Sequence, residues 1–460
     1  MSSRPYVRTK RERVVCMGSE GNIWFKYVSL FSGIGGFEQA LNGKGGICVM
    51  ASEVDKYANT AYELIYGKKT VGDITKVRSM DVPRHDILTA GFPCPTFSVA
   101  GGRDGMMYKC INPRCKHEFV IDFERYKMRN VRCTECCDEA KPKDIRGMLF
   151  YEVARVAEYA QPKVVLMENV KGLISSAKGE TMRVIAETMN KIGYVIDFES
   201  INSKYFDVAQ NRERIFVVCV RKDLVQSEEW RIKGKNVVAN CKRNLLNLGV
   251  QSFNFDFPAQ EDVNVSLIDI LEESVDKRFY IKEDASAEIL KMLDANGLPD
   301  MVGKLETDCI GRIDVKGHDI LKRVYSPNGV SPALTTMQGG NQEPKVAVLE
   351  ATKKGYAVAG VGDSINIKFP SSKTRRGRVG HGVCHTLETT NYLVTLTHEW
   401  KVRKITPKEC FRLQGFRDEI HELLHENGIS NAQLYKTAGN AVTVNVISAL
   451  MDKIIEGGYI

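Results

Sequence analysis

No uninterrupted apolar stretch in this chain approaches the roughly 18 residues of a membrane-spanning helix, so a membrane protein of that kind is not expected. The N-terminal MSSRPYVRTKRERVV is basic but lacks the apolar core and cleavage site of a secretion signal. Both absences point to the cytoplasm. A disulfide framework is missing too: the 13 cysteines are odd in number and scattered through 460 residues. Reduced thiols, one metal cluster and one nucleophile are the remaining uses. Neither charge dominates, and a net charge of +8 with a pI of about 8.7 permits a polyanionic partner without requiring one. Hydrophobic residues at 43% and charged residues at 27% suit a globular chain, and the length allows two or three domains.

Between Tyr27 and Val220 short β-branched runs alternate with helical periodicity. YVSLF, GICVMASEV, DILTAGF, KVVLMENV, YVIDFES and RIFVVCV read as strands; ANTAYELIYG, LFYEVARVAEYA and ETMRVIAETMNKIG repeat apolar residues every three or four positions. That alternation predicts a parallel, doubly wound, Rossmann-like sheet. Residues 221–401 lose the rhythm and read as a second, smaller, irregular β-rich domain, and 402–460 return to helix and to the first domain. Residues 1–26 form a basic tail. Within the irregular region GVSPALTT (329–336) and GVCHTLETT (382–390) share a pattern that suggests two equivalent hairpins.

YVSLF runs into SGIGGFEQAL, a strand, glycine-rich turn and helix through which a nucleotide-like ligand can approach the backbone. Gly33 and Gly35 fit the first two glycines of a dinucleotide fingerprint, but the third position is Glu38, a carboxylate where a pyrophosphate would sit. NAD is therefore disfavoured. Glu53, twenty residues after Gly33, suits ribose hydroxyls, and Asp73 is a further acid at the expected end of the third strand. An adenosine ligand without phosphates fits these groups, as S-adenosylmethionine does.

Cys94 stands between Pro93 and Pro95 at the end of DILTAGF, where α/β enzymes carry reactive groups. Glu168 and Asn169 interrupt the apolar run KVVLMENV, and Arg212 and Arg214, two apart, should project to one face of an extended segment. A thiol, a carboxylic acid and two guanidinium groups make a chemically sensible set.

FSGIGGFEQAL, GFPCPTFS, MENVKGL, QNRERIFVV, RLQGF and AGNAV resemble, in linear order, the motifs of the DNA cytosine-5 methyltransferase family of bacteria and phages. The resemblance covers residues 27–220 and 402–457. It implies that Cys94 adds to C6 of a cytosine flipped out of duplex DNA, that Glu168 holds N3, and that Arg212 and Arg214 bind the O2 edge. It also implies that Phe31, Gly33, Gly35, Glu53, Asp73, Pro93, Asn440 and Ala441 surround S-adenosylmethionine, with residues 221–401 recognising the target sequence. One departure stands out: the residue after the nucleophile is commonly Gln and is Pro95 here, which removes an amide side chain and a backbone N–H from the catalytic loop. A transfer-RNA cytosine methyltransferase on the same fold and a non-catalytic DNA-binding protein are the alternatives. A monomer acting on double-stranded DNA is expected, with a restriction endonuclease at most a functional partner.

Between the catalytic loop and IRGMLFYEVARV lie about forty residues (106–143) where the family has a short connection. Cys110 and Cys115, then Cys133 and Cys136, form two close pairs suited to a tetrahedral, zinc-ribbon-like structural Zn2+ site. Arg125, Lys127, Arg129 and Arg132 within this insert are candidate phosphate contacts. So are Lys373, Arg375, Arg376 and Arg378 in SSKTRRGR.

Overall fold

The computed structural model describes residues 24–93, 106–280, 309–312, 323–325, 346–352, 356–369, 372, 374–390, 392–397 and 402–460. The chain opens with strand β1 (Phe25–Leu30), helix α1 (Gly36–Gly43), β2 (Gly46–Ser52), α2 (Lys56–Tyr66) and β3 (Ile87–Ala90). An insert follows, with β4 (Met107–Cys110), β5 (Glu118–Val120), α3 (Phe123–Lys127) and β6 (Ala140–Pro142). Then come α4 (Leu149–Ala160), β7 (Val164–Val170), α5 (Glu180–Lys191), β8 (Tyr194–Asn202), β9 (Gln210–Asn211), β10 (Glu213–Arg221) and α6 (Val237–Asn247). Among the described residues no helix is long and apolar enough to cross a membrane.

Six strands form one sheet in the order β2-β1-β3-β7-β10-β8. The period of two sorts their side chains cleanly: Val28, Leu30, Val165 and Met167 face a core shared with α4 and α5. Tyr27, Val164 and Leu166 face another shared with α1 and the helix Val444–Glu456. The expected all-parallel sheet needs correcting, because β10 runs antiparallel to both neighbours. Residues 203–212, which join β8 to β10, are too few for a crossover helix, and such a link returns the chain antiparallel.

Two further expectations change. Trp230, Val238, Cys241, Leu245 and Val250 pack into the core of the large sheet, so the chain does not leave it at residue 221. Gly382–Thr390 contributes no hairpin of its own: Cys384–His385 pairs parallel with β9, and the companion stretch 329–336 lies outside the described residues. Other short strands of the later region form sheets, among them Ser364–Asn366 against Val379–Gly380 and Leu393–Leu396.

The insert does not stand apart. Its three strands form an antiparallel sheet in the order β5-β4-β6, and Met106, Tyr108, Ile121, Phe123, Val131 and Ala140 enter the main core beside Phe150 and Tyr151 of α4.

Candidate active site and cysteine cluster

Beyond β1 the backbone turns through three left-handed positions, Phe31 (φ 58°), Gly33 (φ 57°) and Gly35 (φ 86°). A Cβ on Gly33 would meet nothing within 4 Å, so this backbone has an open side. Gly33 N–H donates to Glu53 Oε2 at 2.9 Å, while Glu53 Oε1 accepts from the N–H groups of Val54 (2.7 Å) and Asp55 (2.8 Å). One carboxylate thereby ties the ends of β1 and β2 and keeps lone pairs for hydroxyl donors. Asp73 is not at a strand end as expected. It caps the tight turn Ile74–Lys76, accepting from Thr75 N–H (3.0 Å) and Oγ1 (2.8 Å). Gly72 (φ 75°) and that capping bond make a turn where a strand was read. Ser52 Oγ donates to Gly72 C=O (2.7 Å) and pins this turn beside the end of β2.

Behind the glycines Glu38 is fully buried, and burial pushes its carboxyl up to about 7, against the opposing hydrogen bonds. Tyr62 Oη donates to its Oε1 at 3.1 Å.

At the end of β7 Glu168 is buried, and the register sets it opposite Phe216 of β10, two residues from Arg214. Arg214 Nε comes within 3.2 Å of Glu168 Oε1, with the side chains 15% and 7% exposed. Asn169 Nδ2 donates to Phe92 C=O (3.1 Å), which fixes the stretch Gly91–Pro93 alongside. A Cβ on Gly91 would lie 3.9 Å from Glu168 Oε2, so the segment entering Cys94 passes close to the acid. Cys94 and Pro95 themselves lie outside the described residues.

Arg212 and Arg214 do not share a target. Arg212 is 4% exposed and donates to the carbonyls of Gly439 (3.2 Å) and Ala441 (2.8 Å), so its guanidinium braces the turn holding Asn440 and Ala441. That turn also meets α1, where a Cβ on Gly36 would come within 2.7 Å of Val442 C=O. Sequence reasoning missed two buried amides. Gln210 reaches Leu413 C=O (2.7 Å) and accepts from Leu387 N–H (3.2 Å), and Gln414 reaches Ala438 C=O (2.9 Å). Both stand inside motifs already singled out, QNRER and RLQGF, but nothing in those polar or glycine-flanked stretches marks the amides as buried.

The sulfurs of Cys110, Cys115, Cys133 and Cys136 all lie within 4.8 Å of one another. Cys110 and Cys136 are 3.4 Å apart, and Cys115 and Cys133 are 3.7 Å apart. With Zn–S bonds of about 2.3 Å a tetrahedron has S···S edges of about 3.8 Å, so the donor set fits zinc. Backbone N–H groups of Asn112 and Glu135 point at Cys110 and Cys133 sulfurs, each at 3.4 Å, which favours thiolate.

Of the described cationic candidates, one needs correcting. Arg378 is wholly buried, with Nη2 donating to Phe369 C=O (2.8 Å), and so cannot meet a phosphate. Arg375 and Arg376 donate to the carbonyls of Lys368 (2.9 Å) and Ala351 (2.7 Å); Lys373 lies outside the described residues. In the insert Arg125 bonds to Arg132 C=O and covers Phe119, Lys127 pairs with Glu124 and Glu158, and Arg132 donates to Cys137 C=O. These three hold the insert to itself and to α4, because short loops must satisfy their own carbonyls.

The C-5 cytosine-specific DNA methylase family model matches residues 25–109 and 138–456, passing over the segment that contains the four clustered cysteines. The orphan methyltransferase M.SPBetaI of Bacillus phage SPbeta is 44% identical over 437 residues, covering 94% of this chain and 97% of its own. The putative type II methyltransferase M.BsuMIIP of Bacillus subtilis (strain 168) gives the same identity and coverage. The type II methyltransferase M.HhaI of Haemophilus parahaemolyticus is 28% identical over 429 residues, covering 92% of this chain and 91% of its own.

Proposed function

The chain belongs to the C-5 cytosine-specific DNA methylase family and is a DNA cytosine-5 methyltransferase, and on that premise we propose how its residues divide the work. The observation that carries the assignment of roles is the buried Glu168–Arg214 pair beside the segment that leads into Cys94. Cytosine C5 is a poor nucleophile. Addition of the Cys94 thiolate to C6 gives an adduct whose electron density returns to C5, and Glu168 keeps the ring neutral by holding a proton at N3. C5 then takes up a methyl cation equivalent through its own electron pair, and loss of the C5 proton to a base returns a pair to the ring and expels the thiolate. Arg214 orients Glu168 and faces the O2 edge of the base; Arg212 acts at one remove, by shaping the turn at residues 439–441. A base buried in a duplex must be flipped out to reach these groups.

S-adenosylmethionine, when bound, supplies an electrophilic methyl group on its sulfonium. Phe31, Gly33, Gly35, Glu53, Asp73, Pro93, Asn440 and Ala441 would hold it, and the open side of Gly33 supports that reading. Glu53 and Asp73 each retain acceptor capacity for hydroxyl and amine donors.

Cys110, Cys115, Cys133 and Cys136 hold one structural zinc, since all four coordination positions are filled by the chain. Target recognition belongs to the β-rich region, which begins after the chain leaves the main core near residue 257. The enzyme works as a monomer on duplex DNA, with or without a companion endonuclease.

Bisulfite sequencing of DNA from expressing cells should reveal methylated cytosine in one sequence context. Transfer to tRNA but not to duplex DNA would overturn the DNA reading, and elemental analysis should find about one zinc per chain.

A further inference from the structure

Helix α3, on the stretch between Cys115 and Cys133, leans on α4 through Tyr126. Its ring stacks on Tyr151 with centroids 4.6 Å apart, and its Oη donates to Glu152 Oε1 at 2.9 Å. Glu152 is 4% exposed, and its other oxygen accepts from Arg155 Nε (2.9 Å) and Nη2 (2.6 Å). Arg155 has a second set of bonds: Nη2 donates to Ile74 C=O (3.0 Å) and Nη1 to Ser79 Oγ (2.8 Å). Ile74 opens the turn that Asp73 caps. A line of polar contacts thus runs from the insert to the backbone of Ile74, the residue next to Asp73.

We propose that Tyr126, Glu152 and Arg155 are positioning residues that couple the metal-bound insert to S-adenosylmethionine binding, by setting the turn that carries Asp73. The proposal rests on the cofactor and zinc sites assigned above. Its physical basis is the planar guanidinium, which spans Glu152 and Ile74 C=O in one orientation only. Without the Tyr126 hydroxyl Glu152 Oε1 loses its donor, the carboxylate is held by Arg155 alone, and the pair can rotate together relative to the turn. The cysteine pairs close the chain at both ends of the segment carrying α3, so without metal that helix loses its fixed ends. Burial and the neighbouring Glu152 carboxylate hold the Tyr126 phenol protonated, so it remains a donor. Coupling of this kind is reciprocal: whatever factor zinc adds to cofactor affinity, the cofactor adds to zinc affinity.

The test uses the full chain. Zinc content, S-adenosylmethionine affinity by calorimetry, and zinc affinity against a competing chelator with and without the cofactor are measured for wild type, Tyr126→Phe and Arg155→Lys. Tyr126→Phe keeps the ring stack and all four cysteines. It should retain zinc, weaken cofactor binding roughly fivefold, and leave kcat at saturating cofactor within about twofold. Arg155→Lys, which cannot bridge both acceptors, should do the same. In wild type the cofactor should tighten zinc binding, and Tyr126→Phe should erase that gain.

A lower Tm with unchanged cofactor affinity in both variants would make these residues merely structural and overturn the inference alone. Wild-type protein that binds no zinc would overturn both this inference and the metal site on which it rests.

Discussion

Arg214 Nε lies 3.2 Å from Glu168 Oε1 where β10 passes β7, with little of either side chain exposed. A buried pair of this kind costs desolvation of two charges, and losing one partner leaves the other stranded, a penalty of about 3–5 kcal/mol. Glu168→Gln keeps the shape but cannot hold the N3 proton. It should lower kcat by about 10²–10⁴ and, because a neutral amide leaves the Arg214 charge without its partner, lower Tm as well. Arg214→Ala should lower both kcat and Tm. A Glu168→Gln enzyme with near wild-type turnover on a duplex substrate would remove the acid from the mechanism.

Cys94→Ser should abolish methyl transfer while S-adenosylmethionine affinity stays within about twofold, because a hydroxyl is far less ionised than a thiol near neutral pH. Trapping with a 5-fluorocytosine duplex gives a second measure: a covalent complex should form with wild type and not with the variant.

Gly33→Ala separates cofactor binding from folding. The new Cβ meets nothing within 4 Å in the free protein, so the cost to stability is limited to the left-handed backbone, about 1–2 kcal/mol. The same methyl intrudes on the open side assigned to the cofactor. Calorimetry should find affinity reduced at least tenfold at a modest loss of Tm, with DNA binding retained. Equal affinity in variant and wild type would move the cofactor elsewhere.

Glu38 adds a pH dependence. Burial raises its folded-state pKa from 4.5 to about 7, so between those values the folded chain holds a proton that the unfolded chain has released. Stability from this group is therefore complete below about pH 4.5, falls as pH rises through about 7, and is then level, a change on the order of 1–3 kcal/mol. Glu38→Gln removes the titration. Its Tm should fall less than that of wild type between pH 5 and pH 8; parallel profiles for the two proteins would show that Glu38 does not titrate in this range.

The placement of several candidate site residues was legible because strand ends announce themselves. Apolar runs that stop at Phe31, Glu53 and Glu168 in an alternating βα pattern must leave those residues at one rim of the sheet, where side chains escape the core. The cysteine pairs were legible for a related reason, since their spacing closes two short loops whatever surrounds them. Asp73 was misplaced because a capped turn and a strand end look alike when only one polar residue marks them.

By itself, the sequence determined the periodicities, the motif order and the pairing of the clustered cysteines, all of which depend on residues near one another along the chain. Only the tertiary structure decided what depends on distant partners. The direction of β10 follows from β7 and β8, and the use of Arg212 from two carbonyls more than two hundred residues away. Arg378 sits in a basic run that reads as exposed, yet the fold surrounds it with the carbonyls it satisfies. The insert reads as a separate module, yet Tyr126 joins it to Glu152, Arg155 and Ile74. A buried polar group takes whichever partner packing brings within about 3 Å, and spacing along the chain carries no record of that choice.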